Sequence, residues 1–247
     1  VAAPPSSAFT ATVVEKALVG DNLAQFTLEP NGTADELEWE AGAHLTLHLG
    51  NGLERQYSLA GDPAEQRRLT LGVLNTRGEG GGSSWIHDNL EVGSEITCDL
   101  PRNHFPLKPA KKYQFIASGV GITPIRAMLH SVPASREWSL LYLGRSREDM
   151  LFARELEELY GDRVTLWAKD ERGSRAPLEE LVESDAEVYA CGSTAVLDSL
   201  EQLVAPRRLH IERFEPTTRI STGGLASFDI VTARTGRTVT VSEGFTA

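Results

Sequence analysis

The periodicity of the sequence changes near residue 107, and this change constrains the fold more than any other feature. Before it, short runs of alternating apolar or β-branched residues are separated by turn residues, a pattern that predicts antiparallel strands. Strands this short and this closely spaced favour a closed or nearly closed barrel. The predicted strands are 9–16, 23–29, 44–49, 55–60, 69–74 and 95–100, with one short helix at 83–90.

After Pro106 the apolar runs alternate with helical segments, which is typical of βαβ units and a parallel sheet. Pro109 and two lysines interrupt the periodicity at 107–111, so we expect an antiparallel domain at 1–107 and an α/β domain at 108–214. The predicted strands are 113–117, 139–143, 164–168, 187–190 and 209–213, and the predicted helices are 123–130, 150–160, 176–182 and 194–204.

The C-terminal residues differ in composition and pattern from both of these domains. Residues 215–227 are rich in Thr, Ser and Gly and are predicted to form a linker. Two alternating segments around Thr235-Gly236, within 228–247, predict a hairpin. Because an isolated hairpin is marginal in water, we expect the chain to end partway into a structural unit.

The composition excludes several functional classes. A net charge of −11 argues against nucleic acid as a partner. No run approaches the roughly 18 apolar residues of a membrane helix, and the N-terminus lacks a signal pattern, so we expect a cytoplasmic monomer with no membrane partner. The two cysteines, Cys98 and Cys191, are too few for a four-cysteine metal site, and the histidines form no ligand pattern, so no metal site is expected.

One predicted strand carries the sequence Arg55-Gln56-Tyr57-Ser58. Arg55 and Tyr57 are two residues apart and therefore share a face of the strand. A guanidinium group beside an aromatic ring suits a ligand that has a phosphate and a flat heterocycle. The alternative is an ordinary barrel strand with an exposed arginine and a half-buried tyrosine.

Three glycine-containing turns lie where a phosphate could bind. Residues 78–84 precede a helix, and Ser83 or Ser84 could bond a phosphate or cap that helix. Residues 118–124 connect a strand to a helix, as a pyrophosphate turn does, although they contain two glycines instead of three. Cys191-Gly192 follows another parallel strand at the same sheet edge. Flexible loops and plain structural turns are the alternatives.

Taken together, these motifs resemble the ferredoxin–NADP reductase superfamily, and more narrowly the phthalate dioxygenase reductase family, which includes the vanillate demethylase reductases. The matching blocks occur in the same order along the chain. They are RQYSLAGDP (55–63), GGGSSWIHDNLEVG (80–93), PRNHFPL (101–107), ASGVGITPIRAML (117–129), YLGRSREDMLFARELEEL (142–159), YACGS (189–193) and HIERFEP (210–216).

The resemblance implies a flavin-binding barrel, a nicotinamide-binding α/β domain and a β-grasp [2Fe–2S] ferredoxin domain, with FMN and NADH as cofactors. NADPH is the alternative to NADH, because Arg145 could accept a 2′-phosphate. The resemblance places Ser58, Cys191 and Phe214 at the reacting centre, with Ser58 near flavin N5 and Phe214 over one flavin face. The other residues that it implies for cofactor binding are Arg55, Gln56, Tyr57, Gly81, Gly82, Ser83 and Ser84 for FMN; Gly119, Gly121, Thr123 and Pro124 for the pyrophosphate; Gly192 for the nicotinamide; and Arg145 and Ser146 for the adenosine ribose.

One departure from the family pattern is that no cysteine follows Cys191, whereas the family's ferredoxin domain carries four. Residues 228–247 resemble the first hairpin of that domain, so we expect the natural protein to be longer. The resemblance implies electron transfer from NADH through FMN and the cluster to a terminal oxygenase, of the Rieske type or a cytochrome P450. The alternatives are a stand-alone flavin or ferric reductase and a non-catalytic flavin-binding module.

Overall fold

The computed structural model describes residues 8–32, 37–77 and 81–214, together with the backbone of two short strands at 228–231 and 238–241. The chain divides into two units, 1–214 and 215–247, which are described separately. Within the described residues, no helix is long and apolar enough to cross a membrane.

The first half of the larger unit is an antiparallel barrel. Its sheet has the order β4-β3-β6-β1-β2-β5, with β7 paired to β3. A bridge between Leu59 and Leu71 and a 2.8 Å hydrogen bond from Ala60 N to Thr70 O join the two ends of this order and close the barrel. The elements are β1 (Ala8–Val19), β2 (Leu23–Pro30), β3 (Ala43–His48), β4 (Glu54–Ser58), β5 (Leu69–Leu74), α1 (Gly82–Asn89), β6 (Glu95–Asp99) and β7 (Arg102–Asn103).

The second half is a parallel sheet of five strands in the order β10-β9-β8-β11-β12. All the strands point the same way, so their carboxyl ends form a single edge. The elements are β8 (Lys112–Ser118), α2 (Ile122–Ser131), β9 (Glu137–Gly144), α3 (Ala153–Tyr160), β10 (Val164–Ala168), α4 (Lys169–Arg172), α5 (Leu178–Leu181), β11 (Glu187–Cys191), α6 (Thr194–Leu203) and β12 (Leu209–Glu212).

Two cores cover the two faces of the parallel sheet. Phe115 belongs to a core that includes residues of α2 and α3 and continues into the barrel. The next residue, Ile116, points to the other face and packs with Leu197 and Leu200 of α6. This alternation is what a strand buried on both faces requires. The predicted fold class, an antiparallel barrel followed by an α/β domain, is confirmed.

The structure corrects some element bounds. The helix predicted at 150–160 begins only at Ala153, because Phe152 adopts left-handed backbone angles (φ 63°, ψ 4°) that an α-helix cannot continue. The helix predicted at 176–182 is reduced to Leu178–Leu181. Strand β7 was not predicted, since two residues carry no periodicity.

The smaller unit contains the predicted hairpin as two antiparallel strands, β13 (Phe228–Val231) and β14 (Thr238–Val241). Phe228 pairs with Val241, and Val231 pairs with Thr238. The predicted linker at 215–227 lies outside the described residues.

Candidate functional site

The end of strand β4 meets the end of strand β12. Ser58 is buried, with 4% of its surface exposed, and its Oγ donates a hydrogen bond to Oε2 of Glu212 at 3.2 Å. Burial raises the pKa of Glu212 to about 7, although the hydrogen bond from Ser58 opposes this shift. The site therefore holds a carboxyl group that exchanges its proton near neutral pH.

Cys191 lies beside this pair. It is the last residue of β11 and stands opposite Glu212 in the parallel register with β12. Burial, followed by the nearby carboxylate of Glu212, raises the pKa of the Cys191 thiol well above its usual range. Cys191 is therefore a neutral thiol at physiological pH and not a reactive thiolate. We refer to Ser58, Cys191 and Glu212 as the strand-end cluster.

Sequence reasoning identified Ser58 and Cys191 but missed Glu212. The available signal was its position as the last polar residue of a strand at the carboxyl edge of the sheet, where ligands bind in α/β folds. Phe214, two residues further on, is 42% exposed. An exposed aromatic ring thus follows the strand-end cluster directly along the chain.

Two glycine turns interlock at the same sheet edge. A Cβ on Gly121 would lie 2.2 Å from the carbonyl oxygen of Cys191, and a Cβ on Gly192 would lie 2.4 Å from Cβ of Ser118. Only glycine permits this approach of the two backbones. The turn after β8 is thereby fixed against the turn after β11.

The turn at 119–121 leads into α2 without a side-chain cap. Gly121 occupies the N-cap position, so no side chain satisfies the first N–H groups of the helix. The hydroxyl of Thr123 donates to the carbonyl of Val120 at 3.0 Å and thereby shapes the turn, while Pro124 is buried in the first helical turn. The N–H of Ile122 donates to the carbonyls of Gly119 and Val120 within the turn. The positive end of the helix dipole at this N-terminus suits a pyrophosphate.

A second uncapped helix start lies beside Arg55 in the barrel. Gly81 is the N-cap of α1, without a side-chain hydrogen bond, and a Cβ on Gly82 would lie 2.4 Å from Cγ of Arg55. Arg55 forms no ion pair with the described residues, and its Nη1 donates only to the carbonyl of Glu54 at 2.8 Å. A guanidinium group beside uncapped N–H groups fits a phosphate group.

The serines of this turn connect it to the end of β5. Ser84 Oγ donates to Oδ1 of Asn75 at 2.9 Å, and Ser83 Oγ accepts from the backbone N–H of Thr76 at 3.3 Å. The first residues of the predicted glycine segment, 78–80, lie outside the described part of the chain.

The two remaining residues of the RQYS segment differ in burial. Tyr57 is half-buried, and burial raises the pKa of its phenol to about 12, with the charge of Arg55 acting in the opposite direction. Its hydroxyl is therefore a neutral donor at physiological pH. Gln56 is exposed on the other side of the strand.

The predicted ribose residues lie in the loop after β9. Arg145 is exposed and has no ion pair in the described structure, whereas Ser146 Oγ donates to Oδ2 of Asp149 at 2.8 Å. The carbonyl of Arg145 accepts from the backbone N–H of Asp170 at 3.1 Å, which brings the start of α4 alongside. Two residues with carboxylate side chains, Asp149 and Asp170, therefore lie next to Arg145 and Ser146.

Comparison with known proteins accounts for both halves of the larger unit. The oxidoreductase FAD-binding domain family matches residues 10–106, and the oxidoreductase NAD-binding domain family matches residues 115–202. Phenoxybenzoate dioxygenase subunit beta of Ectopseudomonas oleovorans is 35% identical over 92% of this chain and 72% of its own length. The vanillate O-demethylase oxidoreductase of Pseudomonas putida is 30% identical over 81% of this chain and 67% of its own length.

Among solved structures, phthalate dioxygenase reductase superimposes with a TM-score of 0.78 at 26% identity, covering 95% of this chain and 76% of that one. The chain belongs to the phthalate dioxygenase reductase family. An intact type IV self-sufficient cytochrome P450 monooxygenase is also similar, with a TM-score of 0.83 and 36% identity over 95% of this chain, but only 32% of that chain is covered. The family prediction is confirmed, and the protein is a flavin- and nicotinamide-binding oxidoreductase.

The raised pKa of Glu212 predicts a pH-dependent stability. The pKa of Glu212 in the folded protein, about 7, lies above the ordinary value of 4.5. Ionisation of Glu212 therefore lowers the free energy of unfolding as the pH rises from about 4.5 to about 7, with no loss below this range and the full loss above it. We expect Glu212→Gln to raise the melting temperature at pH 8 and to change it little at pH 5. Thermal unfolding at both pH values tests this, with Glu180→Gln, on exposed α5, as the control. An equal change at the two pH values would contradict it.

Proposed function

We propose that this chain is the NADH-dependent reductase part of an oxygenase system, with FMN as its flavin, and that electrons leave singly through a [2Fe–2S] centre to a terminal oxygenase. The observation that carries the proposal is the strand-end cluster, where the last residues of β4, β11 and β12 meet. A flavin bound there accepts a hydride equivalent from a nicotinamide and releases the electrons one at a time.

Each residue of the strand-end cluster has a role in this proposal. The hydroxyl of Ser58 is placed to hydrogen-bond the flavin ring near N5, because it lies at the end of the strand that also carries Tyr57 and Arg55. Glu212, with a pKa of about 7, holds a proton that it can exchange with the hydroxyl of Ser58. The buried thiol of Cys191 borders the nicotinamide and helps to exclude water.

The cofactor phosphates are assigned to the two uncapped helix starts. Arg55 with residues 81–84 at α1 holds the FMN phosphate, and residues 119–124 at α2 hold the nicotinamide-nucleotide pyrophosphate. By the family resemblance, half-buried Tyr57 would pack beside the flavin ring and exposed Phe214 would cover its other face when the nicotinamide is absent. The choice of FMN over FAD rests on the family resemblance of the RQYS and GGGSSW segments.

The loop after β9 favours NADH over NADPH as the nucleotide. Asp149 accepts the hydrogen bond of Ser146 and is packed so tightly that a Cβ on Gly20 would lie 2.2 Å from its Oδ1. Its carboxylate is therefore fixed beside the proposed ribose site, where it would repel a 2′-phosphate while a 2′-hydroxyl could bind.

The oxygenase partner is proposed from the relatives. Several are named as parts of dioxygenase or monooxygenase systems, including a putative toluene-4-sulfonate monooxygenase reductase subunit of Comamonas testosteroni at 36% identity, of which this chain covers 66%. The [2Fe–2S] centre is proposed from the resemblance of residues 228–247 to the first hairpin of a ferredoxin domain.

A second candidate is direct reduction of a small acceptor, as in a stand-alone flavin or ferric reductase. Tetrachlorobenzoquinone reductase of Sphingobium chlorophenolicum is 30% identical over 98% of this chain and 78% of its own length. A small acceptor would need only the flavin and nicotinamide sites of residues 8–214.

An anaerobic titration with NADH tests the proposed function. Bleaching of the flavin absorbance near one NADH per protein is expected, and mass analysis of the released flavin distinguishes FMN from FAD. A flavin that neither NADH nor NADPH reduces would refute the reductase and favour a non-catalytic flavin-binding module.

Replacement of Ser58 by alanine removes the proposed hydrogen bond to the flavin. We expect flavin reduction by saturating NADH to slow about two- to tenfold, since a hydrogen bond between neutral groups contributes about 0.5–1.5 kcal/mol. Anaerobic stopped-flow absorbance measures this rate. Ser199→Ala on α6, where the hydroxyl bonds only the carbonyl of Ala195, is the control. A Ser58→Ala rate equal to that of the control would exclude the assignment.

Replacement of Asp149 by asparagine keeps an acceptor for Ser146 but removes the negative charge. We expect the preference for NADH over NADPH to fall about fivefold, because two unit charges 4 Å apart in water interact by about 1 kcal/mol. The comparison is of kcat/KM for both nucleotides with ferricyanide as acceptor, and Glu179→Gln on exposed α5 is the control. An unchanged ratio would show that Asp149 does not select the nucleotide.

A further inference from the structure

We infer that Arg126 is a positioning residue that fixes the flavin-binding strand relative to the helix of the pyrophosphate turn, and so sets the approach of the nicotinamide to the flavin. This inference rests on the proposed function. Arg126 lies in α2, and 14% of its side chain is exposed.

The guanidinium of Arg126 contacts three separate parts of the larger unit. Nη1 donates to the carbonyl of Ala60 in the barrel, and Nε and Nη2 donate to Oε1 of Glu155 in α3 at 3.0 and 2.6 Å. The group also lies over the ring of Phe152, 4.6 Å from its centroid. One side chain thus connects the barrel, α2 and α3.

These contacts lie close in sequence to both proposed cofactor sites. Ala60 is two residues after Ser58, and its N–H is fixed by the barrel-closing hydrogen bond to Thr70. Arg126 is three residues after Thr123, about one helical turn from the start of α2. Because the acceptor on the barrel is a backbone carbonyl, the contact fixes the position of the chain two residues after the end of β4.

The surrounding packing holds Arg126 in one arrangement. A Cβ on Gly72 of β5 would lie 2.5 Å from Cδ2 of Leu151 and 2.7 Å from Cγ2 of Thr123, so the barrel meets α2 and the loop before α3 without a gap. Phe152 adopts left-handed angles that are uncommon for a bulky residue, and it does so where its ring lies under the guanidinium.

A weaker contact lies one turn further along α2. His130 Nδ1 lies 3.9 Å from Oδ2 of Asp62, which belongs to the barrel. Burial lowers the pKa of His130, and the positive charge of Arg126 lowers it further, whereas Asp62, Glu155 and Glu65 act in the opposite direction. The imidazole of His130 therefore reports whether a charge is present at position 126.

Lysine cannot reproduce this geometry. The guanidinium group donates from three nitrogens in a fixed plane to two acceptors on different elements and presents a flat face to an aromatic ring. A lysine ammonium group is a single point of charge on a flexible stem. Arg126→Lys should therefore keep only part of the positioning that Arg126→Met removes.

The test compares the unsubstituted protein with the Arg126→Met and Arg126→Lys variants, all of them loaded with flavin. Anaerobic stopped-flow measures the limiting rate of flavin reduction separately from the dissociation constant for NADH. We expect Arg126→Met to lower the limiting rate about ten- to a hundredfold, since a misplacement of about 1 Å can cost a hundredfold. The dissociation constant should change less than about threefold, because the glycine turns are untouched. Arg126→Lys should be intermediate.

Two readouts do not depend on activity. Proton NMR should show a higher pKa for His130 in Arg126→Met than in the unsubstituted protein, and thermal unfolding establishes that the variant is folded. Arg154→Met on α3 is the control, because its side chain is 92% exposed and pairs only with Glu158. This control should change neither the limiting rate nor the pKa of His130.

The outcomes separate this inference from the proposed function. Failure of the unsubstituted protein to react with NADH would refute the proposed function. If the unsubstituted protein reacts, an unchanged limiting rate in folded Arg126→Met, or a rate that falls in parallel with weaker NADH binding, would overturn the inference. If Arg126→Met does not fold, Arg126→Lys, which keeps the charge but cannot reach both Ala60 and Glu155 with fixed geometry, replaces it. A limiting rate equal to that of Arg154→Met would again overturn the inference.

Discussion

The hydrogen bond from Ser58 to Glu212 is the contact on which the rest of the site depends. It joins residues 154 positions apart, one at the end of a barrel strand and the other at the end of the last strand of the parallel sheet. Such a contact forms only when both halves of the larger unit have folded and have one relative orientation. The proposed flavin and nicotinamide sites would then face each other across a fixed distance, which hydride transfer requires.

This arrangement costs stability. Glu212 has no ion-pair partner in the described part of the chain, and its raised pKa shows that its ionised form is disfavoured by burial. A carboxyl group with such a pKa at the carboxyl edge of a parallel sheet is typical of a functional site. Two continuous hydrophobic cores, one of them shared by the barrel and the sheet, offset the cost.

Those features that depend on neighbouring residues could be predicted from the sequence. Strand periodicity predicted the barrel and the parallel sheet, and the glycines at 119, 121 and 192 predicted turns at one sheet edge. Arg126 could not be identified in this way, because its contact with Ala60 is remote in sequence. For Glu212 the sequence offered only its place near the end of a predicted strand, and the contact with Ser58 is visible only in the structure. The left-handed Phe152 carried no sequence signal, since the residues around it have ordinary helical character.

The structure also separates the strand-end cluster from the loop after β9 that is proposed to select the nucleotide. The strand-end cluster is built from strand termini within residues 8–214, whereas Arg145 and Asp149 lie in a loop that can vary without disturbing those strands. Relatives named for phenoxybenzoate, vanillate and toluene-4-sulfonate systems share this region at 30–36% identity. The names of these relatives refer to different substrates, although the match with each covers 81–92% of this chain. Residues of this chain that distinguish one oxygenase from another should therefore be sought on the surface that passes electrons to the oxygenase, outside the strand-end cluster.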